Sequence, residues 1–224
     1  MSAFDILKAR GVTRLCHFTT LQSLTHIIFS ESGVLASSSI RSDIKNVTDE
    51  MRYDGELDYV CCSIEYPNSW FLQKAMEDNA DKIFRDWITL YIDLDILKLK
   101  AVKFCPCNAS TERGRYITDN ISALFADPVF CKREFYREPN MLSCCPTDGQ
   151  AEVLIKDSIP REYVIGIAAG NEDVAVRVYA MLKTYGVRRI PIYVAPDILT
   201  SSWSNMIKKG QRPVETMCVW PEEE

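Results

Sequence analysis

An amide and a carboxylate stand two residues apart where a polar, turn-rich run (residues 146–149) meets an apolar, strand-like run (residues 153–155). The pair is Gln150 and Glu152. Residues i and i+2 of a strand point to the same face, so the two side chains are predicted to project together from a strand end beneath a loop. A carboxylate there can stabilise positive charge on a bound substrate or accept a proton from it. The alternative is a solvent-facing glutamate at a strand edge.

A histidine lies at a second predicted junction, between a strand and a helix. Residues 15–18 are typical of a strand, Thr19 or Thr20 can cap the helix that follows, and that helix is expected to end near Gly33. An imidazole at such a place can hydrogen-bond a ribose or an amide, and the N-terminus of a helix favours phosphate. His17 is therefore a candidate binding residue. The alternative is a half-buried histidine whose hydrogen bonds are made by the backbone.

Residues 37–58 form a long polar stretch without a sustained period, which is typical of a functional loop. Arg52 is the candidate within it, because a planar, permanently charged guanidinium suits phosphate and carboxylate groups. An exposed, solvated arginine is the alternative.

Basic and aromatic side chains interleave in residues 130–149, a combination that suits single-stranded nucleic acid, with cations for the backbone and rings for the bases. A net charge of −5 argues against general nucleic-acid binding, so any such binding would depend on a local strip. A charged surface helix with its own apolar stripe is the alternative. The strip is expected to comprise Lys132, Arg133 and Arg137, together with Arg41, Lys45 or Lys74.

The elements that must position these residues alternate without a linker, a composition break or an internal repeat. With 224 residues and 47% hydrophobic content, the chain can bury a real core, and one α+β domain over residues 1–224 is predicted. Further strands are expected at residues 58–64, 88–94 and 101–104. A helix capped by Asn171 and stopped at Gly186 is expected to precede a last strand, residues 190–194, near a sheet edge.

The cysteine and hydropathy patterns indicate the cellular compartment and the kinds of partner to expect. Nine cysteines, an odd number, occur without an apolar leader at residues 1–8, which indicates reduced thiols in the cytoplasm. Their spacing does not match a zinc knuckle and there are two histidines, so no metal is expected. No apolar run approaches the roughly 20 residues of a membrane span, so no membrane partner is expected. A monomer is expected.

Several of these stretches have the order and separation found in one family. They are residues 14–19 (Arg-Leu-Cys-His-Phe-Thr), Arg52 ahead of residues 58–60 (Asp-Tyr-Val), residues 66–69 (Tyr-Pro-Asn-Ser), residues 150–155 (Gln-Ala-Glu-Val-Leu-Ile) and residues 159–160 (Ile-Pro). Together they resemble the DarT family of DNA ADP-ribosyltransferase toxins, from about Arg14 to Val194. The resemblance implies an ADP-ribosyltransferase fold, in which flanking helices surround a split mixed β-sheet with a cleft that holds NAD.

The resemblance also implies roles for particular residues. Glu152 matches the catalytic glutamate, and Arg52 matches the catalytic arginine, which also contacts NAD. The loop at residues 130–150, with Lys132, Arg133 and Arg137, corresponds to the DNA-recognising loop, and Gln150 is placed to contact the incoming base. The implied NAD contacts are His17, Phe18, Thr19, His26 and Leu35.

The implied reaction is transfer of ADP-ribose from NAD, as co-substrate, to thymidine or guanosine in single-stranded DNA. Cleavage of the nicotinamide–ribose bond builds positive charge on the ribose, which Glu152 would stabilise. Arg52 is a poor base at its usual pKa, so contact with phosphates is its easier role. The implied partner is a DarG-like macrodomain antitoxin. The alternatives are an ADP-ribosyltransferase acting on RNA or protein, and a non-catalytic NAD- or nucleotide-binding module.

Overall fold

A mixed β-sheet forms the centre of the computed structural model, which describes residues 1–40, 53–78, 86–186 and 190–220. The helices are α1 (Ala3–Ala9), α2 (Leu21–Phe29), α3 (Ser69–Asp78), α4 (Glu172–Thr184) and α5 (Ser202–Lys208). The strands are β1 (Leu15–Thr20), β2 (Val34–Leu35), β3 (Tyr59–Ile64), β4 (Trp87–Ile92), β5 (Val102–Cys105), β6 (Val129–Phe130), β7 (Glu134–Phe135), β8 (Glu152–Lys156), β9 (Ser158–Ile159), β10 (Val164–Ala169), β11 (Ile192–Val194) and β12 (Thr216–Met217).

The described strands of the main sheet run in the order β12-β11-β10-β4-β1-β3-β8-β5. β10 and β11 are parallel, since α4 connects them, and the other neighbours are antiparallel. The predicted α+β class with a mixed sheet is therefore confirmed. β11 is second from the edge, because β12 pairs outside it, and this agrees with the expected place of the strand after Pro191.

Local signals explain the helices that flank the sheet. Asn171 caps α4 by accepting from the N–H of Val174 at 2.9 Å, and Gly186 follows the helix with a φ of 62°. Thr20 caps α2 by accepting from the N–H of Ser23 at 3.3 Å. These caps satisfy backbone donors that a helix start leaves open, so both helix starts lie where the sequence predicts them.

The sheet splits between β1 and β3. Their register comprises two residue pairs, Leu15↔Ile64 and Cys16↔Ser63. Beyond Cys16, β1 continues along β4 as far as the pair Thr20↔Trp87, whereas β3 pairs along its length with β8. The two halves of the sheet therefore diverge and leave a cleft between His17 to Thr20 on one side and the first residues of β3 on the other.

Residues 130–149 do not form the surface helix that the sequence left as an alternative. β6 and β7 form a short hairpin whose turn contains Lys132 and Arg133, and an irregular loop follows. Pro139 and Pro146 interrupt any longer helix, because proline lacks a backbone donor and clashes with the preceding turn. The helix interpretation of this segment is wrong.

A buried carboxylate at the end of β3 joins distant parts of the chain. Glu65 is 1% exposed and has a φ of 62°. It accepts from the backbone N–H of Thr13 at 2.7 Å and from Nη1 of Arg212 at 2.7 Å. The start of β1, the end of β3 and the C-terminal segment therefore meet at one carboxylate.

Candidate active site

A cavity of about 530 Å³ occupies the split between β1 and β3. This volume is within the range of pockets that bind cofactors and other small molecules. Its walls come from β1, α2, β2, β3, the loop after β5 and the start of β8. Six predicted site residues line it, namely His17, Phe18, Thr19, His26, Leu35 and Glu152. The fold thus brings an imidazole and a carboxylate into one cavity from positions far apart in sequence.

The β1 side of the cavity is held in place by contacts across the split. Nδ1 of His17 lies 2.9 Å from the carbonyl oxygen of Cys61, which can only accept, so Nδ1 carries the proton and the ring orientation is set. Phe18 packs edge-on against Phe71, with ring centroids 5.9 Å apart. Thr19 is buried at 8% exposure. This side of the cavity combines hydrogen-bonding groups with aromatic surface.

The wall after β1 depends on a close approach between backbones. His26 lies exposed on α2 at the cavity rim, and Leu35 follows on β2, where it pairs with Ser158 of β9. Gly33 has a φ of 65°, and a Cβ there would lie 2.1 Å from the carbonyl oxygen of Ile159. Only glycine fits this approach, so Gly33 allows β2, which carries Leu35, to pack against β9.

Glu152 is the first residue of β8 and lies between Ser63 of β3 and Cys105 of β5. Its side chain is 7% exposed, and burial raises the pKa of the carboxyl from 4.5 to about 8. The neighbouring Cys105 and the carboxylate of Asp54 also contribute to this raised pKa, whereas the backbone N–H of Ala109 and the thiol of Cys61 act to lower it. A positive charge entering the cavity would favour the ionised carboxylate and offset its desolvation.

Sequence reasoning missed several polar residues of the cavity, among them Asp54, Asn108 and Ser110. Asp54 is 9% exposed, and its Oδ1 accepts from the N–H of Glu56 at 3.1 Å. Asn108 and Ser110 lie in the loop after β5. Asp54 could have been noticed in the sequence because it lies two residues after Arg52 in a polar stretch. No sequence pattern pointed to Asn108 or Ser110.

Arg52 and Gln150 are the remaining residues predicted for the catalytic and base-contacting roles. Arg52, like Arg41 and Lys45, lies outside the described residues. β8 begins at Glu152, so Gln150 precedes the strand, and the expectation that both project from one strand face is wrong. The N–H of Gln150 donates to Oδ1 of Asp148 at 2.9 Å, and Gln150 does not line the cavity. Its contact with a DNA base stays a prediction.

The predicted basic strip divides into two kinds of residue. Lys132 and Arg133 are exposed at the hairpin turn, beside the exposed rings of Phe130 and Tyr136, and Lys74 is exposed on α3. Arg137 is half-buried. Its Nη1 donates to the carbonyl oxygen of Cys145 at 2.9 Å and its Nη2 donates to that of Leu142 at 3.0 Å. Arg137 therefore supports the loop that precedes Gln150, and its contact with DNA stays a prediction.

The described parts of the chain show neither a metal-binding cluster nor a membrane-spanning helix. In these residues no cluster of three or more His, Cys, Asp or Glu side chains is arranged to hold a metal ion. Their helices include none with the length and apolar character needed to cross a membrane. All nine cysteines are free thiols.

The model of one protein family matches residues 16–200, and its description is "ssDNA thymidine ADP-ribosyltransferase, DarT". The chain belongs to the DarT family. DarT proteins are ADP-ribosyltransferases that act on single-stranded DNA with NAD as co-substrate, so the predicted enzyme class is confirmed. Comparison with curated proteins finds no significant match.

Solved DarT structures share the fold. DarT of Thermus sp. 2.9 in complex with ADP-ribosylated ssDNA is 16% identical, with a TM-score of 0.59 over 84% of this chain and 96% of that one. The same protein in complex with NAD+ is 16% identical and has a TM-score of 0.57 over 83% and 96%. Thermosipho africanus DarTG in complex with ADP-ribose is 16% identical, with a TM-score of 0.53 over 84% and 51%. The predicted DarT-like fold is confirmed.

Proposed function

We propose that this DarT chain transfers ADP-ribose from NAD to thymidine in single-stranded DNA, with NAD in the cavity of the split sheet and Glu152 as the catalytic carboxylate. The observation that carries the proposal is the position of Glu152, buried at the start of β8 in the same cavity as His17 and Thr19. The family description supports thymidine as the base.

The cavity residues fit NAD by their chemistry. His17, Thr19 and Ser23 offer polar groups for ribose hydroxyls and the carboxamide, whereas Phe18 and Leu35 offer apolar surface for the rings. The cavity also reaches the first turn of α2, where backbone N–H groups favour phosphate. We propose phosphate contact for Arg52, because its guanidinium stays protonated at working pH.

NAD supplies a cationic nicotinamide leaving group on a ribose carbon. When the bond between them breaks, its electron pair leaves with the nicotinamide and positive charge develops on the ribose. Ionised Glu152 would stabilise that charge in a site largely shielded from water. A ring nitrogen of thymine would bond to the same ribose carbon, and its proton would pass to the Glu152 carboxylate, which no longer faces a positive ribose. His17 and Thr19 would hold NAD in line with the carboxylate.

We propose that the hairpin β6–β7 contributes to DNA binding. Lys132 and Arg133 can neutralise phosphates, and the rings of Phe130 and Tyr136, 65% and 63% exposed, can stack on bases. We expect Lys132→Ala with Arg133→Ala to flatten the plot of log affinity against log salt by about 0.7 for each lost phosphate contact. Fluorescence anisotropy with a labelled oligonucleotide measures this slope.

Lys98→Ala is the matched control for the hairpin, because Lys98 pairs with Asp95 on another surface turn. An unchanged slope in the hairpin variant, or an equal change in the control, would remove the hairpin from the DNA-binding surface.

A macrodomain antitoxin that removes the modification is proposed as the partner. Expression of the chain should arrest growth, and co-expression of a DarG-like macrodomain should restore it. Arrest that no active macrodomain relieves would contradict this pairing.

Mass spectrometry of oligonucleotides tests the activity and the base together. The chain is incubated with NAD and four single-stranded oligonucleotides, each lacking one base, and with RNA and protein in parallel. We expect one ADP-ribose added to each oligonucleotide that contains thymidine. Modification that follows guanosine would change the assigned base, and label confined to RNA or protein would overturn the DNA assignment.

A further inference from the structure

Asn108, in the loop after β5, hydrogen-bonds the carboxylate of Glu152. Its Nδ2 donates to Oε1 of Glu152 at 3.2 Å, and both side chains line the cavity. We infer that Asn108 is a positioning residue, whose amide favours the ionised form of the Glu152 carboxylate and orients it toward the reacting ribose. This inference rests on the proposed catalytic role of Glu152.

The orientation of the Asn108 amide is determined by Ser110. Oδ1 of Asn108 accepts from the backbone N–H of Ser110 at 3.0 Å and from the Ser110 hydroxyl. Because the oxygen is engaged there, the NH₂ end faces Glu152, and a flipped amide would set two acceptors against each other. The register Cys105↔Glu152 brings this loop to Glu152 three residues after the pair. Asn108 is therefore a donor in a defined place.

Titratable groups surround Glu152 from several elements. His17 lies on β1, Cys61 and Cys62 lie on β3, Cys105 lies on β5, and Asp54 lies ahead of β3. Cys105 and Asp54 oppose ionisation, whereas the Cys61 thiol and the Ala109 N–H support it.

Because the pKa of the Glu152 carboxyl is about 8, loss of one donor changes the ionised fraction near neutral pH. Removing a donor and removing an opposing charge should therefore act in opposite directions.

The test measures kcat/KM for NAD against pH from about 6 to 10 in the parent, Asn108→Ala and Asp54→Asn. We expect the acidic limb to move up by about one pH unit in Asn108→Ala and down by a similar amount in Asp54→Asn. Asn120→Ala is the matched control, because Asn120 caps the turn at Ile121–Phe125 and does not line the cavity. Its profile should coincide with that of the parent.

An independent readout is the ¹³C chemical shift of the Glu152 carboxyl, titrated without NAD and assigned with Glu152→Gln. Asn108→Ala should raise the titration midpoint, and Ser110→Ala, which keeps the amide but removes the hydroxyl that orients it, should raise it less. If Asn108→Ala does not fold, Ser110→Ala and Asp54→Asn carry the test.

An acidic limb and a midpoint that do not move, or a uniform loss at all pH values, would overturn the inference. Full activity in Glu152→Gln would instead overturn the proposed function, which separates the two failures.

Discussion

Two buried glutamates lie close together in the sheet and have opposite surroundings. Ser63 of β3 pairs with Glu152 of β8, and Glu65 follows Ser63 by two residues. Glu65 is 1% exposed and Glu152 is 7% exposed. Glu65 accepts from a backbone N–H and from the guanidinium of Arg212, each at 2.7 Å, whereas Asn108 offers Glu152 a neutral amide at 3.2 Å.

The difference teaches what each carboxylate is built to do. Burying a charge costs several kcal/mol unless a partner compensates for it. Arg212 compensates for Glu65, which therefore stabilises the fold. Within the part of the chain that the structure describes, Glu152 forms no ion pair, and it faces a cavity. In the proposed function a cationic substrate pairs with Glu152.

The largest expected effect comes from removing the charge of Glu152, the glutamate that faces the cavity. Glu152→Gln keeps the shape of the side chain but removes the negative charge, so ADP-ribose transfer to an oligonucleotide should fall at least about 100-fold. Transfer is measured with labelled NAD under saturating conditions, and circular dichroism shows that the variant is folded. Glu65→Gln is the matched change at the other carboxylate and should retain transfer. Equal losses in the two variants would remove the distinction.

The next effect comes from removing the carboxylate of Glu65, the glutamate that pairs with Arg212. Glu65→Ala leaves the N–H of Thr13 and the guanidinium of Arg212 without their acceptor, so the free energy of unfolding should fall by about 3 kcal/mol. Urea unfolding measures it. Activity per folded molecule should remain near that of the parent. A stable variant with poor catalysis would place Glu65 in the reaction instead.

A smaller effect concerns stability against pH. The folded-state pKa of Glu152, about 8, exceeds the ordinary value of 4.5, so the folded chain holds a proton that the unfolded chain has lost between these values. Stability should therefore fall as pH rises from about 4.5 through 8. Glu152→Gln removes this loss and should be more stable than the parent at pH 9 by at least about 2 kcal/mol, with little difference at pH 5.

Thermal unfolding at the two pH values measures this difference. A parent that gains stability relative to Glu152→Gln as pH rises would contradict the neutral, buried carboxyl.

The smallest effect sharpens the comparison through the co-substrate. Because the cationic nicotinamide favours ionised Glu152, NAD binding should release protons near neutral pH and strengthen several-fold between about pH 6.5 and 9. Calorimetry in buffers of different ionisation enthalpy measures both quantities. Glu152→Gln should show neither. Identical pH dependence in parent and variant would mean that Glu152 does not contact the nicotinamide ribose.

Local signals in the sequence were sufficient to predict many of the helices and strands. The cap at Thr20, the cap at Asn171 and the apolar run at the start of β8 depend on neighbouring residues, and the structure confirms the elements that they predict. Gln150 shows the limit of such reasoning. Residues i and i+2 share a face only within a strand, and β8 begins at Glu152, so the rule does not apply to Gln150. Arg137 shows it again, since its partners are carbonyl groups of a folded loop.

The sequence by itself determined the family and the reaction class, because those depend on motifs that lie along the chain, and it also predicts the acidic residue at position 152 as catalytic. Only the tertiary structure decided that β1 and β3 diverge after Cys16, and that Asp54 and Asn108 reach the same cavity. Strand register and loop packing are set by contacts between residues far apart in the chain, and no local pattern of side chains records them. The same contacts give Glu65 a cation and leave Glu152 facing the cavity.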